Sequence, residues 1–403
     1  MTVFDGHVVM FSTAEWTSRY WTNSQHMAVH LAARGYRVLF VETMGIRWPR
    51  VTKRDVVRIA RRVRKQLSSI SQVQENIWIL SPLTIPGAHQ SVIAANFNDR
   101  QLRRGITRWL SKHGRERPIV WTYYPFILNL VETLDPTATV YHCVDDIAAL
   151  PGVDRRGYDK AEERLLRRAT HIFATSQALR DRCSAVAPGR THYFPNVADV
   201  DHFASARRDG WIPADLAAIP RPRLGYLGVL SDFKLDLNLL ECAVRQKDDW
   251  QWVFIGDERE GQASPILARL KARPNVHVLG WRSYASLPDY LRGIDVALLP
   301  QLINEYTRAM FPMKFFEYLA AGRPVVSTPL PALAEFQALF RTATTAQELI
   351  NEIAAVLAEP GQAILPADDP ILRGHSWGAR LQAMLAVLEG RAAGTTQSFS
   401  AFN

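Results

Sequence analysis

Short apolar runs alternate along most of the chain with longer segments of helical period. The apolar runs are typical of buried strands, and glycine or proline often separates the two kinds of segment. In the first half we predict strands over residues 7–11, 36–42, 77–80, 119–123, 139–144 and 171–175, with helices over 24–34, 160–168 and from 177. In the second half we predict strands over 224–227, 252–255, 276–279, 296–299 and 324–327, with helices from 236, 265, 287 and 314. This alternation predicts an α/β protein in which crossover helices cover parallel sheets.

The alternation of apolar runs and helical segments is interrupted between residues 204 and 222, in a segment that contains Gly210 and three prolines. Such a segment is typical of a domain boundary. We therefore predict a Rossmann-like domain over residues 1–205, a linker over 206–222 and a second Rossmann-like domain over 223–375. We predict a final helix over residues 376–391, and one alternative is that this helix crosses back to the first domain.

The net charge of +9 over 403 residues is divided unequally between the two halves. Residues 1–220 hold 30 basic and 20 acidic residues, a balance of +10, whereas the remainder hold 18 and 19, a balance of −1. This asymmetry predicts an anionic partner for the first half only, and both nucleic acid and an anionic membrane have the required charge.

Cysteine usage and hydropathy exclude several classes of protein. Cys143, Cys183 and Cys242 are widely spaced, so the sequence predicts neither a disulfide framework nor a zinc site, and it favours a reducing compartment. The N-terminus lacks the features of a secretory signal. The most apolar stretch, residues 119–131, is interrupted by polar residues and is shorter than the roughly 20 residues that a membrane-spanning helix needs. We expect a cytoplasmic protein.

Most of the excess charge lies between residues 47 and 65, where nine bases are opposed only by Asp55, a balance of +8. Valine and isoleucine separate these bases, a pattern that predicts a basic amphipathic helix on an anionic lipid surface. Its membrane-facing residues would be Arg54, Arg58, Arg61, Arg62, Arg64 and Lys65. A second stretch, residues 100–117, carries seven bases against Glu116. The alternatives are a solvated helix face and, in the absence of a recognition motif, nucleic-acid binding.

The most informative segment of the second half is residues 304–328. An irregular stretch ends at Pro312, and the helix that follows has free N–H groups at its start, which suit an anion. Lys314 adds a positive charge in the first turn. Glu317 lies on the same face, where its carboxylate could accept two hydrogen bonds from a ribose. The alternative is an amphipathic helix whose lysine and glutamate are merely solvated.

The string PMKFFEYLAAGRPVVST resembles the nucleotide-sugar site of GT-B glycosyltransferases, especially family 4. The resemblance implies two Rossmann-like domains that face a cleft, with the acceptor bound by the first. It implies that Lys314 contacts the donor's phosphates, Glu317 its ribose, and the backbone of Met310, Pro312 and Met313 its sugar or diphosphate. Family 4 members commonly have a second glutamate where this chain has Ala309, and the neighbouring Arg308 indicates an acidic sugar.

Two further segments resemble donor-binding loops of the same family. LGYLGVLSDFKLDLNLL looks like its strand-to-glycine loop, in which Gly228 would let the backbone approach the diphosphate and Lys234 would supply a base. VHVLGWRSYASLPDYL resembles its nucleobase loop, in which Trp281, Arg282 and Tyr284 would border the base. The alternative is that these glycines only allow the chain to turn and bind no ligand.

Candidate catalytic residues lie in YHCVDDIAALPG, where Asp145 and Asp146 follow a predicted strand. A carboxylate at this position could take the proton from an acceptor hydroxyl, and adjacent carboxylates can raise each other's pKa. A loop pair that caps the next segment is the alternative. Resemblance to the membrane-associated glucuronosyltransferases of the xanthan pathway favours Asp145, with Asp146 and His142 as alternatives. Asp145 would be the base if the reaction inverts configuration, and a positioning group if configuration is retained.

The loop after the first strand carries candidate acceptor-binding residues. Exposed aromatic side chains beside charges suit stacking against sugar rings, and a hydrophobic plug between domains is the alternative. The residues are Glu15, Trp16, Arg19, Tyr20 and Trp21.

Together these features predict a peripheral glycosyltransferase on the inner face of the cell membrane. It would move a sugar from a UDP- or GDP-sugar to a lipid-linked or polysaccharide acceptor in cell-surface glycan synthesis, with neither a metal nor a cofactor and with no nucleic-acid partner. Two rival hypotheses remain. One is a GT-B nucleotide-sugar epimerase, and the other is a non-catalytic protein that binds membranes or nucleic acid.

Overall fold

The computed structural model describes residues 6–42, 70–82, 91–114, 117–259, 262–359, 361 and 364–391. Its described residues form two compact units. The N-terminal unit contains the residues up to Pro195 and those from Leu381 onward, and the C-terminal unit contains Asn196–Arg380.

The N-terminal unit is built on an eight-stranded sheet with the order β3-β4-β2-β1-β5-β6-β7-β8. All neighbouring strands are parallel except β3 and β4, which are antiparallel. The strands are β1 His7–Phe11, β2 Arg37–Val41, β3 Ser71–Gln74, β4 Ile77–Leu80, β5 Ile119–Thr122, β6 Ala138–Cys143, β7 His171–Ala174 and β8 Thr191–Tyr193. Most positions of the central strands are buried, as expected for a parallel sheet covered on both faces.

Five described helices lie between these strands, and two of them show why they begin or end where they do. Ser176 accepts a hydrogen bond from the Leu179 N–H at 3.2 Å and so caps the last of them. Gly35, which follows the first helix, has φ +90°, a conformation that suits glycine. The helices are α1 Asn23–Ala33, α2 Val92–His113, α3 Leu128–Leu134, α4 Arg155–Arg168 and α5 Gln177–Val186, and a 3₁₀ turn occupies Ile147–Ala149.

The C-terminal unit has a six-stranded parallel sheet with the order β11-β10-β9-β12-β13-β14. Its strands are β9 Arg223–Leu227, β10 Gln251–Ile255, β11 Val276–Val278, β12 Val296–Leu299, β13 Val325–Ser327 and β14 Arg341–Thr342. The helices before and between them are α6 Val200–Ala204, α7 Ala214–Ala217, α8 Leu237–Gln246, α9 Pro265–Lys271, α10 Leu287–Arg292, α11 Glu305–Ala309 and α12 Lys314–Ala320. After β14 come α13 Ala346–Ala358 and α14 Pro370–Gly374, and 3₁₀ turns occupy Ser205–Arg207, Tyr284–Ser286 and Pro331–Leu339. The last helix, α15 Trp377–Leu388, begins in this unit, and its residues from Leu381 onward belong to the N-terminal unit.

The structure agrees with the predicted strands and adds detail in three places. The predicted strand 77–80 is also one arm of a hairpin, because Asn76 adopts φ +60° and reverses the chain after β3. Residues 100–113 of the second basic stretch belong to the 22-residue helix α2. Residues 206–222, predicted as a linker, lie inside the C-terminal unit. In the described part of the chain, no helix is long and apolar enough to cross a membrane.

The core of the C-terminal unit packs aromatic rings around α12. The rings of Phe311, Phe315 and Phe316 are buried, and the His375 ring stacks on Phe316 with centroids 4.2 Å apart and planes at 17°. Nδ1 of His375 lies 2.7 Å from the Ile371 carbonyl, so this nitrogen carries the proton. Burial and, secondarily, the charge of Arg380 lower the pKa of His375 from 6.5 to about 4.

Acidification is expected to destabilise the C-terminal unit through His375. Because the pKa of this histidine is lower in the folded state than in the unfolded state, its contribution is complete above pH 6.5 and is lost as the pH falls toward 4. The loss is about 3 kcal/mol at about 1.4 kcal/mol per pKa unit. His375→Asn keeps a donor toward Ile371 and does not titrate. Calorimetry should show a smaller drop in melting temperature between pH 7 and pH 4.5 for this variant than for the wild type. Parallel melting curves would contradict the assignment.

Candidate functional site

Two glycines follow neighbouring strands at the carboxyl edge of the C-terminal sheet. Gly228 follows β9 with φ +135°, and Gly256 follows β10 with φ +152°. A Cβ at position 256 would collide with the Gly228 carbonyl, and a Cβ at position 228 would collide with Cε and Nζ of Lys314. The backbone is therefore packed too closely for side chains at this point. Ligands of open α/β sheets bind at this edge.

Lys314 lies over Gly228 because α12 is anchored one turn later. The Tyr318 hydroxyl accepts a 2.9 Å hydrogen bond from the N–H of Leu227, the last residue of β9. Residues four apart share one face of a helix, so this bond directs Lys314 toward the same strand end. The lysine ammonium and the N-terminus of α12 thus bring positive charge to the glycine turn.

The other end of α12 is held by Arg207, a residue that the sequence interpretation assigned to a linker. Its guanidinium donates hydrogen bonds of 2.7 Å to the carbonyls of Leu319 and Ala320 and of 2.8 Å to the carbonyl of Leu365. A cation at the last carbonyls of a helix satisfies groups that lack helical partners. Nothing local in the sequence pairs Arg207 with a helix that begins more than 100 residues later.

Two asparagine side chains fix the loops around the Met310–Met313 segment. The Asn196 side chain donates a 2.7 Å hydrogen bond to the Phe311 carbonyl within the segment. The Asn304 side chain, at the start of α11, donates one of 2.7 Å to the Phe233 carbonyl in the loop after β9. Pro312 is buried, whereas Met310 and Met313 are half-buried. The loop after β9 is therefore fixed to the start of α11, and the loop before α12 is fixed to Asn196.

Glu317 stands one turn into α12 beside a pair of stacked rings. Burial raises the pKa of its carboxyl group and the charge of Lys314 opposes this shift. Burial, followed by the charges of Glu317 and Asp199, raises the pKa of Tyr284, so these groups lie close together. The Tyr284 ring stacks on His202 at 4.7 Å, and Nε2 of His202 donates a 2.9 Å hydrogen bond to the Tyr284 carbonyl. The sequence analysis did not single out His202.

The remaining predicted donor residues have diverse surroundings. Lys234 Nζ lies 3.1 Å from the Tyr306 hydroxyl and 4.6 Å from the centre of the Tyr306 ring. The N–H of Trp281 donates to Asp257 Oδ1 at 3.2 Å. Arg282 is engaged within the unit, because its Nη2 lies 2.5 Å from Asp215 Oδ2. Its predicted contact with a base therefore competes with this ion pair.

Arg308 lies in the last turn of α11, just before Met310. Its side chain is exposed, and it forms no ion pair with any residue that the structure describes. The guanidinium is thus available to an anionic group near the Met310–Met313 segment.

In the N-terminal unit, the two adjacent aspartates after β6 have different environments. Asp146 is buried and its Oδ1 lies 2.8 Å from Nη1 of Arg182. Nη2 of Arg182 lies 3.2 Å from Glu162 Oε1, which accepts a 2.5 Å hydrogen bond from the Tyr141 hydroxyl. Asp145 is half-buried and is not part of this set of ion pairs. The structure therefore separates the pair into an internal carboxylate and a second one at the strand end.

His142, the other alternative base, lies inside the sheet. It is 2% exposed, and its ring is surrounded by Trp121, Tyr123 and Phe173 at centroid distances of 5.9, 4.9 and 6.2 Å. Its Nδ1 lies 3.1 Å from the Tyr123 hydroxyl. This environment is that of a packed core residue, because the side chain has almost no surface on which to meet a substrate.

The expectation that the aromatic residues of the first loop are exposed is wrong for Trp16. Its ring packs edge-on against Phe40 at 5.2 Å and leaves 9% of the residue exposed. The backbone N–H of Trp16 donates a 2.8 Å hydrogen bond to Glu42 Oε1, so the loop folds back onto the end of β2. Arg19 is exposed, whereas Glu15, Tyr20 and Trp21 are half-buried. The predicted membrane residues Arg54, Arg58, Arg61, Arg62, Arg64 and Lys65 lie outside the described residues.

Comparison with known proteins finds a family match for part of the chain. Residues 221–359, about a third of the chain, match the family described as glycosyl transferases group 1. We call this range the group 1 domain. This range contains Gly228, Gly256, Lys314 and Glu317, so the close-packed glycine turn and the α12 residues belong to that domain.

Part of the chain is also similar to the putative teichuronic acid biosynthesis glycosyltransferase TuaH of Bacillus subtilis strain 168. The two are 30% identical over 234 residues, which are 55% of this chain and 58% of TuaH. The match thus spans little more than half the length of this relative.

Solved structures match over nearly the full chain at low identity. Sucrose-phosphate synthase from Thermosynechococcus elongatus matches with a TM-score of 0.66 and 15% identity over 96% of this chain and 97% of that one. Anabaena HepE in complex with UDP and glucose matches with 0.59 and 15% over 96% of each chain. WaaG, a glycosyltransferase involved in lipopolysaccharide biosynthesis, matches with 0.60 and 15% over 95% of this chain and 100% of that one. The prediction of a GT-B fold, with the group 1 domain as its second half, is confirmed.

Proposed function

We propose that this protein is a glycosyltransferase that moves a sugar from a UDP- or GDP-sugar to a lipid-linked or polysaccharide acceptor in cell-surface glycan synthesis. The observation that carries the proposal is the position of Lys314 over the Gly228 turn, with Glu317 one turn further along the same helix. TuaH, whose name refers to teichuronic acid biosynthesis, and the UDP complex of HepE support the proposed acceptor and donor classes.

Each donor-site residue has a defined task in this proposal. The diphosphate would approach the backbone at Gly228, which has no side chain of its own, and the adjacent Lys314 would neutralise the charge that develops as it leaves. The Glu317 carboxylate would accept hydrogen bonds from the ribose hydroxyls. Arg308 would pair with a carboxylate on the donor sugar, which makes an acidic sugar the preferred donor. The proposal assigns no step to a metal or cofactor.

The reaction breaks the bond between the anomeric carbon and the donor's phosphate oxygen and forms a bond from that carbon to an acceptor oxygen. The acceptor hydroxyl loses its proton and the nucleoside diphosphate leaves. We assign Asp145 the role of base if configuration inverts, because Asp146 is already paired with Arg182. If configuration is retained, Asp145 orients the acceptor or donor.

The acceptor would bind the N-terminal unit near Arg19, Tyr20 and Trp21. The segment that contains Arg54, Arg58, Arg61, Arg62, Arg64 and Lys65 would attach the protein to the inner face of the cell membrane. These assignments rest on the sequence pattern and on the charge balance of the first half.

A thermal-shift screen followed by a transfer assay tests the proposal. UDP-glucose, UDP-glucuronate and GDP-mannose are compared at equal concentration, and at least one should raise the melting temperature, with the uronate sugar giving the largest shift. The same donor should then label a lipid-linked saccharide. Epimerised sugar formed without any acceptor would identify an epimerase instead. Absence of a shift with every donor, in the wild type as in Lys314→Ala and Glu317→Ala, would indicate a non-catalytic binding protein.

A further inference from the structure

Helix α2 of the N-terminal unit has one buried side and one outer side. Leu102, Ile106 and Trp109 are between 0% and 2% exposed and pack in a core cluster with residues of β1, β2 and β5. These three residues are spaced by four and three positions, so they define the inner face of the helix.

The outer face of α2, defined by Ile93, Phe97, Arg100, Arg104 and Arg108, combines apolar and cationic side chains. These residues follow one another at intervals of four, three, four and four positions, which keeps them on one side of the helix. Ile93 is 84% exposed and Phe97 is 41% exposed. They are two of the five large hydrophobic side chains that are exposed among the described residues, and they lie in adjacent turns. Two exposed apolar side chains that share one face mark a surface for a partner.

The charges of this helix are not neutralised within the described residues. Arg100, Arg103, Arg104, Arg108 and Lys112 are exposed, and none of them forms an ion pair with another described residue. Asp99 is the single acidic residue of α2, and it is half-buried; burial raises the pKa of its carboxyl group, and the Asn129 side chain opposes this shift. Within the described residues, the outer face therefore has no anions that balance it, and an anionic partner would supply them.

We infer that the outer face of α2 docks on an anionic lipid surface, with Ile93 and Phe97 entering the acyl boundary and the arginines contacting phosphate headgroups. A helix that presents apolar side chains together with arginine and lysine lies in the plane of such an interface. The phosphates of a nucleic acid would pair with the arginines but would leave Ile93, which is 84% exposed, without an apolar contact. A lipid surface provides both kinds of contact and therefore accounts for more of the observed surface.

This surface is separate from the other sites in the protein. It is formed by described residues of a folded helix, whereas the membrane assignment above rests on a segment outside them. It also does not depend on nucleotide-sugar binding, because none of its residues belongs to the group 1 domain. A second lipid contact would fix the orientation of the N-terminal unit on the membrane.

Vesicle flotation of the full chain tests this inference with matched variants. Wild-type protein should float with phosphatidylcholine vesicles that contain phosphatidylglycerol and should remain behind with phosphatidylcholine alone. Combined R100E, R104E and R108E should lower the bound fraction at least about tenfold, and I93S with F97S should lower it about threefold. The control reverses three exposed charges of α4 at the same spacing, R156E, K160E and R164E, and should bind like the wild type.

Three measurements decide the result. The melting temperature without any ligand should be the same in all variants, which shows that they are folded and separates this test from that of the proposed function. Flotation of the α2 variants at wild-type level would overturn the inference. Loss of binding to a duplex DNA probe in the arginine variants, with unchanged flotation, would identify a nucleic-acid surface instead. An equal loss in the α4 control would show that only net charge matters, which also overturns the inference.

Discussion

Lys314→Ala is expected to lower kcat/KM for the nucleotide-sugar donor by about 10²- to 10³-fold, the loss typical of removing one group that stabilises developing negative charge. Cε and Nζ of Lys314 lie against Gly228, at the turn where we place the donor's diphosphate. The substitution should not displace the helix, because Tyr318 and Arg207 hold α12 at its two ends. The measurement is steady-state transfer at varied donor concentration, together with the affinity of the nucleoside diphosphate product.

The matched control is Lys247→Ala. Lys247 follows α8 just before β10, at the opposite edge of the sheet, and its ammonium lies over the Trp250 ring at 4.9 Å. This variant should keep wild-type kinetics. Lys314→Arg should recover part of the activity, because the charge is restored while the bulkier guanidinium meets the crowded backbone at Gly228. Unchanged kcat/KM and unchanged product affinity in Lys314→Ala would contradict the role of Lys314 at the diphosphate, on which the proposed function rests.

The sequence is sufficient for the elements that place Lys314 but not for the contacts that fix it. The start of α12 was predicted correctly, because Pro312, the lysine and the apolar spacing that follows are local signals. Arg207 and Asn196 could not be recognised, since each holds the loop or helix of the site through a backbone carbonyl more than 100 residues away in the chain. A bond to a carbonyl leaves no trace in the identity of the residue that accepts it.

The same limit applies to burial and to charge. The sequence shows that Trp16 lies among polar residues after a strand. It does not show that the loop folds back so that the backbone N–H of Trp16 donates a hydrogen bond to Glu42. It shows seven bases over residues 100–117, but only the helical spacing of α2 separates the inner face from the cationic outer face. Adjacent charges in a sequence can therefore have different surroundings, and the half-buried Asp145 beside the buried Asp146 is the clearest case.

Asp145→Ala and Asp146→Ala are expected to have opposite effects on catalysis and stability. Asp145 is half-buried, whereas the buried Asp146 pairs with Arg182, so Asp145→Ala should lower the melting temperature less than Asp146→Ala does. If Asp145 is the base, kcat should fall by about 10²- to 10⁴-fold. Asp146→Ala leaves Arg182 with Glu162 alone and should destabilise the N-terminal unit by about 2 kcal/mol, or several degrees in melting temperature.

Measured together, kcat and melting temperature separate the two roles. Asp146→Asn should be milder than Asp146→Ala, because an amide oxygen can still accept a hydrogen bond from Arg182 Nη1, whereas Asp145→Asn should be as inactive as Asp145→Ala if a base has been lost. A fall in kcat with Asp146→Ala at a temperature where it is fully folded, with an active Asp145→Ala, would reverse the assignment. In that case the ion pair with Arg182 would have to open during the reaction, and the kcat of Arg182→Ala would then rise rather than fall.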